Sequence, residues 1–261
     1  MTLFLLFAFI LSCTKFAASQ LVVNVKNKGG DLIQENIQAD IQNDLVRLNF
    51  QRLDGTLVSN LIDFKAETKI QRLMILGEQE REESRYQVIC FVSKFNRNDF
   101  ISSDSMSKLR QKNPGTIRTP EEDLGIEDHI MNIAIDPRRS SQFSKHIENM
   151  CSEAKSSTYT SVLDIKGWSK GSNITYQGLM NFAQRLNTEK ISSCASLSGT
   201  SAPCACTLDI CIGWYPCGLK YCHGRDAGGK IMNYRCGIKT CSKCHHFTYK
   251  VQHRNLCLWG V

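Results

Sequence analysis

The sequence has no apolar run long enough to span a bilayer. Its candidate, Leu3–Leu11 inside an apolar Met1–Ser12, is too short. Followed by the small residues Ala17-Ala18-Ser19, it reads as the h-region of a signal peptide over residues 1–19, although Lys and Arg are missing ahead of it. The mature chain is then expected to start near Gln20, to be secreted and to work outside the cell. Catalytic signatures are missing as well. There is no Gly-x-Ser-x-Gly, no His-Glu-x-x-His, no phosphate loop and no internal repeat. Carboxylates such as Glu121, Glu122 and Asp123 read as a solvated run. The expectation is a protein that is not an enzyme, takes no cofactor and holds no metal. Secretion also argues against nucleic acid as a partner.

Cysteine is scarce before residue 194, where Cys90 and Cys151 alone remain once Cys13 leaves with the leader. The tail is the opposite. Cys194, Cys204, Cys206, Cys211, Cys217, Cys222, Cys236, Cys241, Cys244 and Cys257 crowd a segment too short to bury a sufficient core of its own. Twelve cysteines in an oxidising compartment fit six disulfides. Cys204-x-Cys206 and Cys241-x-x-Cys244-His245-His246 resemble zinc-ligand pairs, but in a secreted chain disulfides take precedence. A thiol-redox reading of Cys241-x-x-Cys244 needs a helix N-terminus after a strand, and the sequence offers none. Spacing does not choose among the pairings of the tail. Cys90 and Cys151 either pair with each other, stapling a strand to a helix, or pair into the tail, or stay buried and free.

The net charge of +7 is placed unevenly. Removing Lys15 leaves +6; from Cys204 onward eight Lys or Arg against two acids also give +6, so residues 20–203 sum to about zero. Lys239, Lys243 and Lys250 are therefore candidate contacts for a sulfated glycan or an acidic receptor. The plainer reading is dispersed charge that keeps the module soluble. Trp214, Tyr215, Tyr221 and Trp259 read as the small core of that module. Asn173-Ile174-Thr175 is a glycosylation sequon.

Periodicity fills in the middle of the chain. Leu21–Lys26 alternates weakly and predicts a strand, while Ile33–Asn43 is too polar to assign. Leu45–Phe64 predicts a hairpin, with Val46, Leu48 and Phe50 on one face and an Asp54-Gly55 turn. Thr68–Leu76 and Tyr86–Phe95 extend it to a four-stranded meander. Ser103–Lys112 predicts a short helix, 115–127 a mobile loop, and Ile130–Ile135 a strand. Phe143, Ile147, Met150 and Ala154 predict a helix face, Thr158–Ile165 another strand, and Leu179–Leu186 a helical turn. The organisation expected is a sheet-and-helix domain over 20–165, a linker over 166–193 and a basic cysteine-rich module over 194–261.

Several longer runs carry a resemblance. Leu53-Asp54-Gly55-Thr56-Leu57-Val58-Ser59, Asp63-Phe64-Lys65, Cys90-Phe91-Val92 and Lys108-Leu109-Arg110-Gln111-Lys112-Asn113-Pro114 resemble the out at first family. So do Trp214-Tyr215-Pro216-Cys217, Leu219-Lys220-Tyr221-Cys222-His223, Cys236-Gly237-Ile238 and Leu256-Cys257-Leu258-Trp259. The resemblance implies a secreted, disulfide-rich protein linked to development, and an extracellular protein or receptor as partner. Cys211 and Cys244 look additional to the family's cysteine pattern, which leads us to expect that they pair with each other. Residues 45–165 also resemble a BRICHOS domain. That resemblance implies an α+β fold, an antiparallel sheet flanked by two helices, with a helix–sheet Cys90–Cys151 disulfide. It also implies a chaperone action on aggregation-prone segments and a partly buried Asp63 serving as a pH latch.

Overall fold

The computed structural model describes residues 20–27, 29–77, 85–171, 174–186, 191–197, 202–225 and 228–257. Alternation of apolar and polar side chains builds six consecutive antiparallel strands: β1 Gln20–Lys26, β2 Leu32–Asp40, β3 Leu45–Gln51, β4 Leu57–Asp63, β5 Thr68–Leu76 and β6 Tyr86–Lys94. Gly55 adopts φ +83° in the β3–β4 turn, a conformation that favours glycine. Short strands extend both edges. β7 Ile117–Arg118 lies parallel to β1, while β10 Thr158–Thr160 lies parallel to β6 and is followed across the sheet by β9 Ile133–Ile135 and β11 Ala183–Arg185. Among the described residues the sheet has ten strands.

A second sheet carries the cysteines. β12 Cys204–Arg225 and β13 Ile231–Val251 form one long antiparallel hairpin, and β8 Glu122–Met131 adds to β13 in parallel. The two sheets share a core. Leu21, Val23, Ile37, Leu48, Val58 and Phe91 of the large sheet meet Leu208, Ile210, Trp214, Phe247 and Tyr249 of the hairpin. The opposite face of the large sheet is covered by α2 His146–Cys151 and α3 Val162–Gly171, through Ile147, Ile165 and Trp168 against Leu45, Ile70 and Val92. The remaining helices are single turns, α1 Ser103–Ser107 and α4 Tyr176–Met180.

The molecule is thus mostly β with few helices and a disulfide-rich C-terminal region. The expected BRICHOS-like flanking by two helices is not confirmed. α2 and α3 lie on one face, and the hairpin sheet lies on the other together with α1, whose Met106 is buried in the shared core, so neither face is open. The expected mobile segment 115–127 instead supplies β7 and the start of β8. Its acidic, unpatterned residues suit an edge strand whose backbone bonds come from β13. The strand expected over Thr158–Ile165 stops at Thr160. There Ser161 Oγ accepts a hydrogen bond from Asp164 N at 3.0 Å and starts α3. The stretch 166–193 holds the end of α3, all of α4 and β11, with Trp168 and Leu179 buried. Of the aromatics expected to form a separate core in the tail, Trp214 and Tyr215 join the shared core and Tyr221 is exposed. The expected leader (1–19), Asn173 and Trp259 lie outside the described residues.

Candidate functional site

The disulfides fix what the hairpin cannot hold by burial. Cys211–Cys244, Cys217–Cys241 and Cys222–Cys236 are rungs between β12 and β13. Cys194–Cys204 ties the lead-in, and Cys206–Cys257 ties the end of the chain to β12. Cys90–Cys151 staples β6 to α2. All twelve cysteines from 90 to 257 are therefore oxidised, and none remains as a zinc ligand or a thiol.

A cluster of polar and charged side chains lies where β8 and β13 cross the large sheet. The parallel register pairs His245 with Glu127 and Phe247 with His129, which puts all four side chains on the inward face. His129 Nε2 stands 3.0 Å from His245 Nδ1. Glu127 Oε2 is 3.6 Å from His129 Nε2 and 3.5 Å from His245 Nδ1. His129 is oriented by stacking on Phe247, with 4.8 Å between ring centroids. From β5, Lys69 Nζ reaches His245 Nε2 at 3.0 Å. Lys243 Nζ lies 2.8 Å from Glu127 Oε2. A cavity of about 60 Å³ adjoins the group, lined by Asn60, Ser93 and Asp99 among others.

Burial sets the charges. Loss of water, reinforced by Lys69, pulls His245 down to about 3, so its imidazole is neutral at physiological pH. Desolvation likewise lowers Lys69 to about 8, against the opposing pull of Glu127. Hydrogen bonds from His129 and His245, then from Lys243, hold Glu127 far below the usual carboxylate range. Two neutral-capable imidazoles and one carboxylate converge here, and such a set of nitrogen and oxygen donors can hold a divalent metal or pass a proton.

A second buried group locks the sheets together. Glu35 of β2 accepts hydrogen bonds from Gly213 N at 2.7 Å and Trp214 N at 3.2 Å, where β12 bulges. A side chain at Gly213 would bring its Cβ within 2.8 Å of Val25 Cγ2, so glycine allows this approach. Burial raises Glu35 to about 8 in spite of the two N–H donors. A carboxyl group raised in the folded state contributes stability that is complete below its unfolded value near 4.5 and is lost as pH rises through 8. The lowered His245 acts in the opposite sense below its unfolded value of 6.5, and the lowered Lys69 does so from about 8 upward. Between pH 6.5 and 8 the stability should therefore fall by about 2 kcal/mol. Glu35→Met should be less stable at pH 6.5 and should show a flat profile in urea melts across that window. An unchanged slope in the variant would assign the dependence elsewhere.

The residues singled out from the sequence do not meet at one place. Asp63 is buried and braces a turn: Oδ1 accepts from Lys65 N and Ala66 N, both at 3.0 Å, and Oδ2 accepts from Ser144 Oγ at 2.7 Å. Lys239 is ion-paired with Glu122 and Lys243 with Glu127, so two of the three candidate polyanion contacts are already matched by β8. Lys250 lies apart, in a cleft of about 700 Å³ with Arg138, Arg139 and Lys155. Glu127, His129 and Lys69 were missed. The residue they all meet, His245, is more than a hundred residues away in sequence, and Lys69 sits in a strand pattern that also permits a short helix. His245 follows Cys244 in the pattern that resembles a zinc-ligand pair, but it points to the opposite face of the strand from Cys244, which is bonded to Cys211.

These features define a class: a disulfide-cross-linked, mostly β protein in which a long C-terminal hairpin closes over an N-terminal meander. The chain belongs to the out at first family. The family model described as Out at first matches residues 19–168, and the one described as Out at first, C-terminal, matches residues 193–261. The Out at first protein of Drosophila virilis is 48% identical over 250 residues, covering 92% of this chain and 82% of the relative. That of Drosophila melanogaster is 46% identical over 266 residues, covering 98% of this chain but 55% of the relative, so the chain spans little more than half of that protein. No solved structure matches. The BRICHOS resemblance gains no support from these comparisons. Among the described residues no helix is long and apolar enough to cross a membrane.

Proposed function

We propose that this protein is a secreted, non-enzymatic binding protein of developmental signalling. The observation that carries the reading is the complete pairing of the twelve cysteines, which suits an oxidising compartment. Family membership supports the developmental setting. The contact surface is the far end of the β12–β13 hairpin, clamped by Cys222–Cys236. Tyr221, Ile231, Met232 and Tyr234 are each at least 50% exposed there, and such aromatic and Met side chains are enriched at protein interfaces. The partner is an extracellular protein or receptor. A second reading rests on the cleft of Arg138, Arg139, Lys155 and Lys250, whose charge suits a sulfated glycan. The chaperone-like action has less room, because both faces of the large sheet are covered. It would depend on sheet edges such as β8, where Leu124, Ile126 and Ile130 are exposed.

The test uses the full chain expressed in insect cells. The product should appear in the medium with Gln20 near its N-terminus and with no thiol open to alkylation. Its saturable binding to embryonic cells should fall at least tenfold in Tyr221→Ser/Tyr234→Ser. Retention in the cell with free thiols would defeat secretion. Binding untouched by the double variant but abolished by heparin would move the surface to the basic cleft.

A further inference from the structure

Beyond the protein-binding reading, we infer that Glu127, His129 and His245 form a mononuclear site for a divalent cation of the zinc class. Zinc bound at 2.0–2.2 Å by nitrogen and oxygen in a tetrahedron separates neighbouring ligand atoms by about 3.3–3.5 Å. The three atoms here, His129 Nε2, His245 Nδ1 and Glu127 Oε2, stand 3.0, 3.5 and 3.6 Å apart. They outline one face of such a tetrahedron, with the metal above that face and a fourth position for water. Both imidazoles belong to the inner side of the second sheet, and Glu127, half-exposed, forms the opening to solvent.

The support is rigid. Glu127 and His245 occupy one row of the β8–β13 ladder, and His129 sits two residues further along β8. Cys244, the residue before His245, is locked to Cys211. Phe247 holds the His129 ring. Ligands fixed on strands and backed by packing are already organised for capture.

Lys69 and Lys243 are the site's internal competitors. Lys243 holds the same Glu127 oxygen that the metal would take. Ligation through His245 Nδ1 places the ring hydrogen on Nε2, so the Lys69 ammonium must turn away. The adjoining cavity beside Asn60, Ser93 and Asp99 gives it somewhere to go. A cation site and an anion site in this cluster therefore predict opposite effects of removing the lysines.

The experiment is calorimetric titration of zinc chloride into the metal-stripped, disulfide-intact full chain, with thermal melts alongside. One equivalent should bind and raise Tm. Glu127→Gln and His129→Asn should each weaken binding at least tenfold, whereas Lys243→Met should tighten it severalfold. Glu127 is half-exposed on an edge strand, so its variant tests the site even if His245→Asn does not fold. Cobalt substituted for zinc should give the intense visible absorption of a tetrahedral centre. The inference is overturned if no saturable binding occurs, or if both ligand variants bind like the parent. It is also overturned if phosphate rather than zinc raises Tm and Lys243→Met abolishes that effect.

Discussion

Phe91→Ala is expected to cost about 4 kcal/mol and to loosen both sheets at once. Phe91 is fully buried on β6. Its ring stacks on Phe247 of β13, with centroids 4.2 Å apart and planes 3° from parallel, and it meets Tyr249 edge-on at 5.3 Å. Tyr159 of β10 closes the group, 5.4 Å from Tyr249. Truncation removes the central ring and leaves a cavity between layers that strand pairing and disulfides hold apart. A cost of about 4 kcal/mol is about a quarter or more of the stability of an ordinary domain. With the third tryptophan, Trp259, replaced by Phe throughout, the remaining two make the test specific. Trp168 sits on the helix side of the large sheet and Trp214 in the hairpin sheet. In urea melts of Trp168→Phe and Trp214→Phe backgrounds, both signals should shift to lower midpoint by the same amount. A shift confined to Trp214 would mean that the hairpin is a satellite.

Removing the Cys90–Cys151 bond, as the paired alanine variant, should cost about 4 kcal/mol on the loop-entropy model. The bond joins residues 61 apart in sequence, and both sulfur-bearing side chains are fully buried. Alanine is preferred to serine here because a buried hydroxyl would add its own cost. The Cys222–Cys236 bond spans 14 residues at the exposed hairpin end and should matter less. A urea midpoint that falls more for the tip pair than for the Cys90 pair would contradict this ranking.

Much of the large sheet can be read directly from the residues. Val46, Leu48 and Phe50 alternate with Arg47, Asn49 and Gln51, and Asp54-Gly55 turns the chain, so β3 and β4 follow from local pattern alone. β2 escapes because Glu35 interrupts the apolar face that Ile37 and Ala39 continue. Its place inside is set by the N–H groups of Gly213 and Trp214, nearly 180 residues later. β8 escapes because an acidic edge strand shows no apolar period, and its partner lies in the tail. The shared core was not legible for a related reason. Leu208, Ile210, Phe247 and Tyr249 alternate clearly, but their faces do not say whether they cover each other or a distant sheet. The covered sheet follows from that: a face reserved for the hairpin looks, in residues 45–165 alone, like a face left open. The Glu127–His129–His245 group depends on the register of a parallel strand pair, which no short-range signal specifies.

Meander and hairpin share a single core. The most direct measurement is native-state amide hydrogen exchange on the full, disulfide-intact chain. Amides at the centres of β4 and β5 and those near Phe247 in β13 should open with the same free energy and respond alike to low urea, as one cooperative unit. If the β13 amides exchange through a separate, weaker opening while β4 and β5 stay protected, the hairpin is an independent module and the single-core account is wrong.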